Sequence, residues 1–81
     1  MNETTKNPVT INYFYQKLSE RVSTYNARLM LRAAMVSSGV QGEPDTVLED
    51  EQAKAMCLAL INKGGPAFQV GKNLYHDLQL Q

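Results

Sequence analysis

Apolar residues recur at helical spacing through the first half of the chain, and this pattern constrains the fold more than any other feature. Eight of them follow one another at intervals of three or four residues, and so line one side of a helix about seven turns long. They are Ile11, Phe14, Leu18, Val22, Tyr25, Leu29, Ala33 and Val36. Asn7 and Pro8 suit a helix start, and Gly39 suits its end. We therefore predict one long helix over about residues 8–38.

The segment VTINYFY, residues 9–15, also has the composition of a strand, because β-branched and aromatic residues crowd it. The helical interpretation is favoured because Ile11 and Phe14 are in register with the rest of the apolar stripe. In a helix Phe14 faces the core, and its neighbours Tyr13 and Tyr15 lie on opposite flanks, partly exposed.

A second helix is predicted over residues 46–63, after a loop at 39–45 that contains glycine and proline. Thr46 and Glu49 have the spacing of a capping box, and a lysine followed by glycine ends the helix. Its centre, AMCLALI, is apolar on every side. We therefore expect this helix to be buried over most of its circumference, with the first helix packed antiparallel on it.

The C-terminal segment at residues 66–80 allows two interpretations. Pro66 after two glycines suits a helix start, and small and apolar residues follow at helical spacing. Apolar residues of even parity around GKN also fit a β-hairpin. The favoured prediction is a mainly α protein with a short third helix, and the alternative is an α+β fold with a hairpin. The polar residues 1–7 are predicted to form a frayed tail.

Length, charge and composition limit the class of protein. The chain of 81 residues, 1–81, is enough for a single small domain. Eight basic and eight acidic residues cancel, so the chain as a whole has no electrostatic attraction to nucleic acid or membranes. Its longest uncharged apolar run has seven residues, where a membrane span needs about 20. A single cysteine and no signal-peptide pattern predict a cytoplasmic protein.

No motif in the sequence predicts catalysis or metal binding. His76 is the only histidine, and no second histidine or cysteine lies at ligand spacing from it. Cys57 lies inside the apolar run, where a thiol behaves as a small hydrophobic side chain. We therefore predict a protein that is not an enzyme and uses no metal or cofactor.

The predicted first helix also carries a basic seam beside its apolar stripe. The seam consists of Lys17, Arg21, Arg28 and Arg32, which fall within about 60° of one another. Such a seam can bind an anion, in nucleic acid, a nucleotide or an acidic protein surface. Acidic residues at the start of the second helix offer the favoured alternative, internal pairing with Arg28 and Arg32. They are Glu43, Asp45, Glu49, Asp50 and Glu51.

A ribbon of small, uncharged residues lies on the side of the predicted helix opposite the apolar stripe. It consists of Ser19, Ser23, Ala27, Met30 and Ala34. Solvent-exposed helix faces usually carry lysine and glutamate, so an uncharged ribbon predicts a packing surface. We therefore predict that the ribbon is the contact face of a homo-oligomer.

The predicted function is a small non-catalytic protein–protein interaction module. It would act as a regulator, adaptor or inhibitor of bacterial or phage type, by binding a partner's surface, and would itself form a homo-oligomer. The predicted partner contacts are Tyr13, Tyr15, Lys17 and Arg21, because tyrosine and arginine are favoured anchors of interfaces. The alternative is a nucleic-acid or nucleotide binder that uses the basic seam.

Overall fold

The computed structural model describes residues 8–78, which fold into four helices. These are α1 (Ile11–Ser19), α2 (Thr24–Ser38), α3 (Asp50–Lys63) and α4 (Gly65–Asp77). The prediction of a mainly helical protein is confirmed, and the alternative hairpin is wrong because α4 occupies its place. Within residues 8–78 the only β pairing is one isolated antiparallel bridge, between Thr10 and Val47. The predicted tail at 1–7 and the end of the C-terminal segment at 79–80 lie outside the described residues.

The predicted single helix over residues 8–38 is wrong, because the chain leaves helical geometry between α1 and α2. Ser23 has an extended backbone conformation, and its hydroxyl accepts a hydrogen bond of 3.2 Å from the N–H of Asn26. Serine in this role satisfies a donor that has no partner within the helix, so it favours a new helix start over continuation of the old one. The first helix of the prediction is therefore two helices.

The break changes which side of α2 faces the core. Members of the predicted apolar stripe in α1 are buried, but beyond the break Tyr25 is 71% exposed, Leu29 49% and Val36 78%. Ala27 and Ala34, from the opposite side of the predicted wheel, are buried instead. Small side chains at these positions allow α2 to approach the rest of the core closely.

The start of α3 also differs from the prediction, since the helix begins at Asp50 and not at residue 46. Glu49 and Gln52 form the capping box, in which the N–H of Glu49 donates to Oε1 of Gln52 at 2.9 Å. Thr46 closes a turn in the preceding loop, where its Oγ1 accepts from the N–H of Glu43 at 2.8 Å. The predicted loop at 39–45 is therefore longer by four residues, 46–49.

This longer loop is tied to the start of α1 by backbone hydrogen bonds. The bonds are Ile11 N–H to the Thr46 carbonyl at 3.2 Å, Asn12 N–H to Pro44 at 2.8 Å and Leu48 N–H to Val9 at 2.7 Å. The first N–H groups of a helix have no acceptor within it, so the loop supplies acceptors that α1 itself lacks. Thr10 completes the start of α1 by accepting from Tyr13 N–H at 3.1 Å.

The core lies where α3 packs against α2 and α4, with α1 placed against α2 and α4. Its largest fully buried side chains are Phe14, Leu18, Met56, Cys57, Leu60 and Leu74. Gly64 and Gly65 have positive φ angles of 85° and 60°, which glycine adopts readily, and they join α3 directly to α4. The predicted burial of the AMCLALI segment holds over most of its circumference, although Leu58 is 47% exposed.

Candidate functional site

A groove runs along one side of α2, between this helix, the loop after it and the start of α1. It consists of two hollows of about 570 and 310 Å³, which share Ile11, Arg28, Leu31 and Pro44 as lining residues. Ile11 is buried, Leu31 is half-buried, and Met35 and Val40 extend the apolar lining of the larger hollow. We call this feature, defined by Ile11, Arg28, Leu31, Arg32, Met35, Val40 and Pro44, the α2 groove.

Arg28 and Arg32 are the only charged side chains among the residues from 8–78 that line the α2 groove. Both are exposed, and α2 contains no acidic residue. Within the described part of the chain neither arginine forms an ion pair, since the pairs found there join Lys17 to Glu20 and His76 to Asp77. The predicted pairing of these arginines with the acidic start of the second helix is therefore wrong for residues 8–78, because the acidic side chains lie beyond pairing distance.

Three large apolar side chains are exposed on the side of α2 next to the arginines. Tyr25, Leu29 and Val36 form this feature, which we call the α2 ridge. At about 100° per residue these three and Arg32 fall within about 60° of one another. Single exposed apolar residues are ordinary on protein surfaces, whereas several on one helix face make that face a candidate contact surface.

The structure separates the two tyrosines that were predicted to contact a partner. Tyr15 lines the smaller hollow of the α2 groove together with Arg28. Tyr13 packs edge-on against Phe14, with ring centroids 6.5 Å apart, and Nζ of Lys17 lies 5.5 Å from its ring centroid. Of the two rings, only Tyr15 therefore shares a surface with Arg28.

The basic seam is also divided by the break between α1 and α2. Lys17 and Arg21 line a small hollow of about 120 Å³ beside Asn73 and Asp77 of α4. Nζ of Lys17 lies 3.9 Å from Oε2 of Glu20, so its charge already has a neighbour of opposite sign. The seam predicted as one continuous surface is thus two separate pairs of cations, of which only one borders the α2 groove.

The ribbon predicted as an oligomer face does not form one exposed surface. Ala27 and Ala34 are buried within a single copy of the chain, and half-buried Met30 packs against the same core. Ser23 caps α2, and the hydroxyl of Ser19 donates to the Gln16 carbonyl at 2.9 Å. The ribbon was misplaced because the helical wheel assumed an unbroken helix through residues 20–23.

Because the sequence pattern did not show the break, it assigned the side chains of the α2 ridge to the core, although they are exposed. The signal that could have revealed it is Ser23, which stands three residues before Asn26 and can cap a helix. Serine is also tolerated inside helices, so the sequence alone did not distinguish a cap from a continuation.

The described residues contain no cluster of three or more side chains suited to hold a metal ion. His76 is exposed and adjoins Asp77, with 3.9 Å between Nδ1 and Oδ1. Cys57 is buried in the apolar centre of α3, as its sequence context predicted, and burial raises the pKa of its thiol to about 12. Neither side chain lines the α2 groove.

The buried thiol makes the stability of the wild-type protein depend on pH in a way that Cys57→Ala should remove. Its pKa is raised from 9.0 to about 12. Below pH 9 the thiol is protonated in both states, and above that pH it ionises first in the unfolded chain. Wild-type stability should therefore fall faster than that of the variant as the pH rises towards 12, by at most about 1.4 kcal/mol per pH unit. Urea unfolding from about pH 7 to 10.5 measures the difference, and parallel curves would contradict it.

Within residues 8–78 no helix combines the length and the apolar character needed to cross a bilayer. Comparison with protein-family models, with curated proteins and with solved structures found no match to this chain.

Proposed function

We propose that the protein is a small, non-catalytic binding module that presents the α2 ridge and the α2 groove to a partner protein. The observation that carries this proposal is the combination of exposed Tyr25, Leu29 and Val36 with two arginines that have no ion-pair partner within residues 8–78. Tyrosine and arginine are among the residue types enriched at positions where truncation to alanine weakens a protein interface most. The proposed contacts are therefore Tyr25, Leu29, Arg28, Arg32 and Val36, with Tyr15 at one end.

A protein partner fits this surface better than nucleic acid does. Covering apolar area contributes roughly 25 cal/mol per Å², and this gain requires an apolar partner surface. A phosphate backbone would meet only Arg28 and Arg32 here, because Lys17 and Arg21 lie in the separate hollow beside α4. Nucleic-acid binding normally relies on several phosphate contacts along a continuous basic track. The nucleic-acid alternative thus has less support from the structure than from the sequence.

A module of this kind would act by occupying a surface of its partner, as a regulator, adaptor or inhibitor in the cytoplasm. We still propose that the protein forms a homo-oligomer. The small-residue ribbon is not proposed as its contact face, because Ala27 and Ala34 are buried within one copy. Ser37, Ser38, Ala55, Leu58 and Ala59 line a shallow hollow without charged residues, which is available as a second contact area.

Site-specific photo-crosslinking in the native cells tests the proposal. Leu29 is replaced by p-benzoylphenylalanine, and the control carries the same group in place of Lys72, which is exposed on α4. We expect position 29 to give an adduct with a discrete protein that position 72 does not give. Absence of any adduct from position 29, or identical adducts from both positions, would overturn the proposed function.

A further inference from the structure

We infer that the partner segment held by the α2 groove is an amphipathic helix with two carboxylates one turn apart, which bind Arg28 and Arg32. This inference rests on the proposed function and adds the chemistry of the partner. The lining of the groove within residues 8–78 is apolar apart from these two arginines and a few uncharged polar groups.

The spacing of the two arginines matches the repeat of a helix. Arg28 and Arg32 are four residues apart on α2, so their Cβ atoms are neighbours at about 5–6 Å. Acidic side chains at positions i and i+4 of a second helix repeat that distance. Each guanidinium can donate two parallel N–H hydrogen bonds to a carboxylate, which adds direction to the charge attraction.

The apolar lining of the α2 groove can cover the apolar side of such a helix. Amphipathic helices bind grooves through apolar anchors at positions i, i+3 or i+4, and i+7. Half-buried Leu31 and Met35 of α2 offer apolar surface to these anchors, and buried Ile11 of α1 lies beside them in the lining. Met35 is half-buried, and the unbranched methionine side chain adapts to differently shaped partners.

An extended partner strand has no comparable place to bind. The only β pairing among residues 8–78 is the bridge between Thr10 and Val47. The neighbouring N–H of Leu48 already donates to the Val9 carbonyl. Strand addition requires a row of unpaired backbone groups at a sheet edge, and the described chain has no sheet.

Charge also argues against α2 of a second copy as the occupant. If α2 packed on α2 of another copy, Arg28 and Arg32 of both copies would lie close together. Because α2 contains no acidic residue, nothing on either helix would offset this repulsion. An acidic segment of a different protein can contact the arginines without this electrostatic repulsion.

Two designed peptides of roughly five helical turns probe this inference. They share leucines at helical anchor spacing, and they differ only in the residues beside that stripe, which are glutamates in one and lysines in the other. Fluorescence anisotropy measures their binding to the whole protein. We expect the glutamate peptide to bind wild-type protein at least about tenfold more tightly, and the double variant R28E/R32E to prefer the lysine peptide.

The matched control is K63E/K72E, which makes the same change in net charge at exposed sites on α3 and α4. It should keep the wild-type preference for the glutamate peptide, and circular dichroism confirms that both variants are folded. Equal binding of the two peptides to wild-type protein, or no binding of the glutamate peptide at about 1 mM, would overturn the inference.

Two other outcomes would also reject an acidic helix as the occupant. Self-association that R28E/R32E abolishes, measured by sedimentation at several concentrations, would identify a second copy. Displacement of the glutamate peptide by single-stranded DNA at physiological salt would identify a phosphate ligand. If position 29 still crosslinks to a discrete protein in either case, only the inference fails. If the crosslink is also absent, the proposed function fails with it.

Discussion

Phe14→Ala is expected to lower the free energy of unfolding by about 3–5 kcal/mol. The ring is completely buried and is among the largest side chains in the core. Its removal loses the transfer free energy of the aromatic ring and leaves a cavity that the surrounding helices fill only in part. A small domain has about 5–15 kcal/mol of stability in total, so this variant should unfold at a much lower urea concentration.

Tyr25→Ala is the matched control, because it also removes an aromatic ring from a helix. Tyr25 is 71% exposed, and its loss should change stability by no more than about 0.5 kcal/mol. Urea unfolding followed by circular dichroism measures both variants. If the two variants lost similar stability, the assignment of Phe14 to the core and of Tyr25 to the surface would be wrong.

Gly71→Ala is expected to lower the free energy of unfolding by about 1–3 kcal/mol. A Cβ at this position would lie 2.7 Å from the carbonyl oxygen of Cys57 and 3.0 Å from the backbone nitrogen of Ile61. Both atoms belong to the backbone of α3, so the added methyl can be accommodated only if the two helices move apart. That movement would loosen the packing around Leu60 and Leu74, which are fully buried.

The sign of this effect distinguishes close helix contact from ordinary helix propensity. Glycine inside a helix usually destabilises it by about 0.5–1 kcal/mol relative to alanine, so without the contact Gly71→Ala would stabilise the protein. Lys72→Ala, at the exposed neighbouring position, should stay within about 0.5 kcal/mol of wild type. An increase in stability for Gly71→Ala would show that α4 does not approach α3 as described.

The sequence correctly predicted helical structure and the part of the core that comes from α1. Ile11, Phe14 and Leu18 are buried as their spacing indicated. The prediction failed beyond Ser23 because α2 has large apolar side chains on more than one side. Leu31 and Met35 line the α2 groove, whereas Tyr25 and Leu29 of the α2 ridge do not line it and are exposed. A periodic pattern shows that apolar faces exist, but it does not show which face is covered.

The start of α3 shows a second reason why local patterns were insufficient. Both TVLE, which begins at Thr46, and EDEQ, which begins at Glu49, have the spacing of a capping box. The later one is used because residues 46–48 hydrogen-bond to the start of α1. A contact between segments far apart in sequence therefore decided between two local signals.

Only part of the candidate site was predictable from the sequence, because the pattern placed the α2 ridge in the core. Tyr15, Arg28 and Arg32 were all identified from the sequence as side chains that could bind a ligand. Pro44 lines both hollows of the α2 groove, and its carbonyl group accepts a hydrogen bond from the N–H of Asn12 in α1. The roles of these residues in binding stay predictions until the crosslinking and peptide experiments are done.

The loop between α2 and α3 would ordinarily be chosen for an inserted epitope or a fluorescent label, since exposed loops usually tolerate extra residues. Here the carbonyl groups of Pro44 and Thr46 are acceptors for the first N–H groups of α1. An insertion beside them would remove these acceptors and move Pro44, which also forms a wall of the α2 groove. A reporter placed in this loop would therefore disturb both the helix and the surface that it was meant to report on.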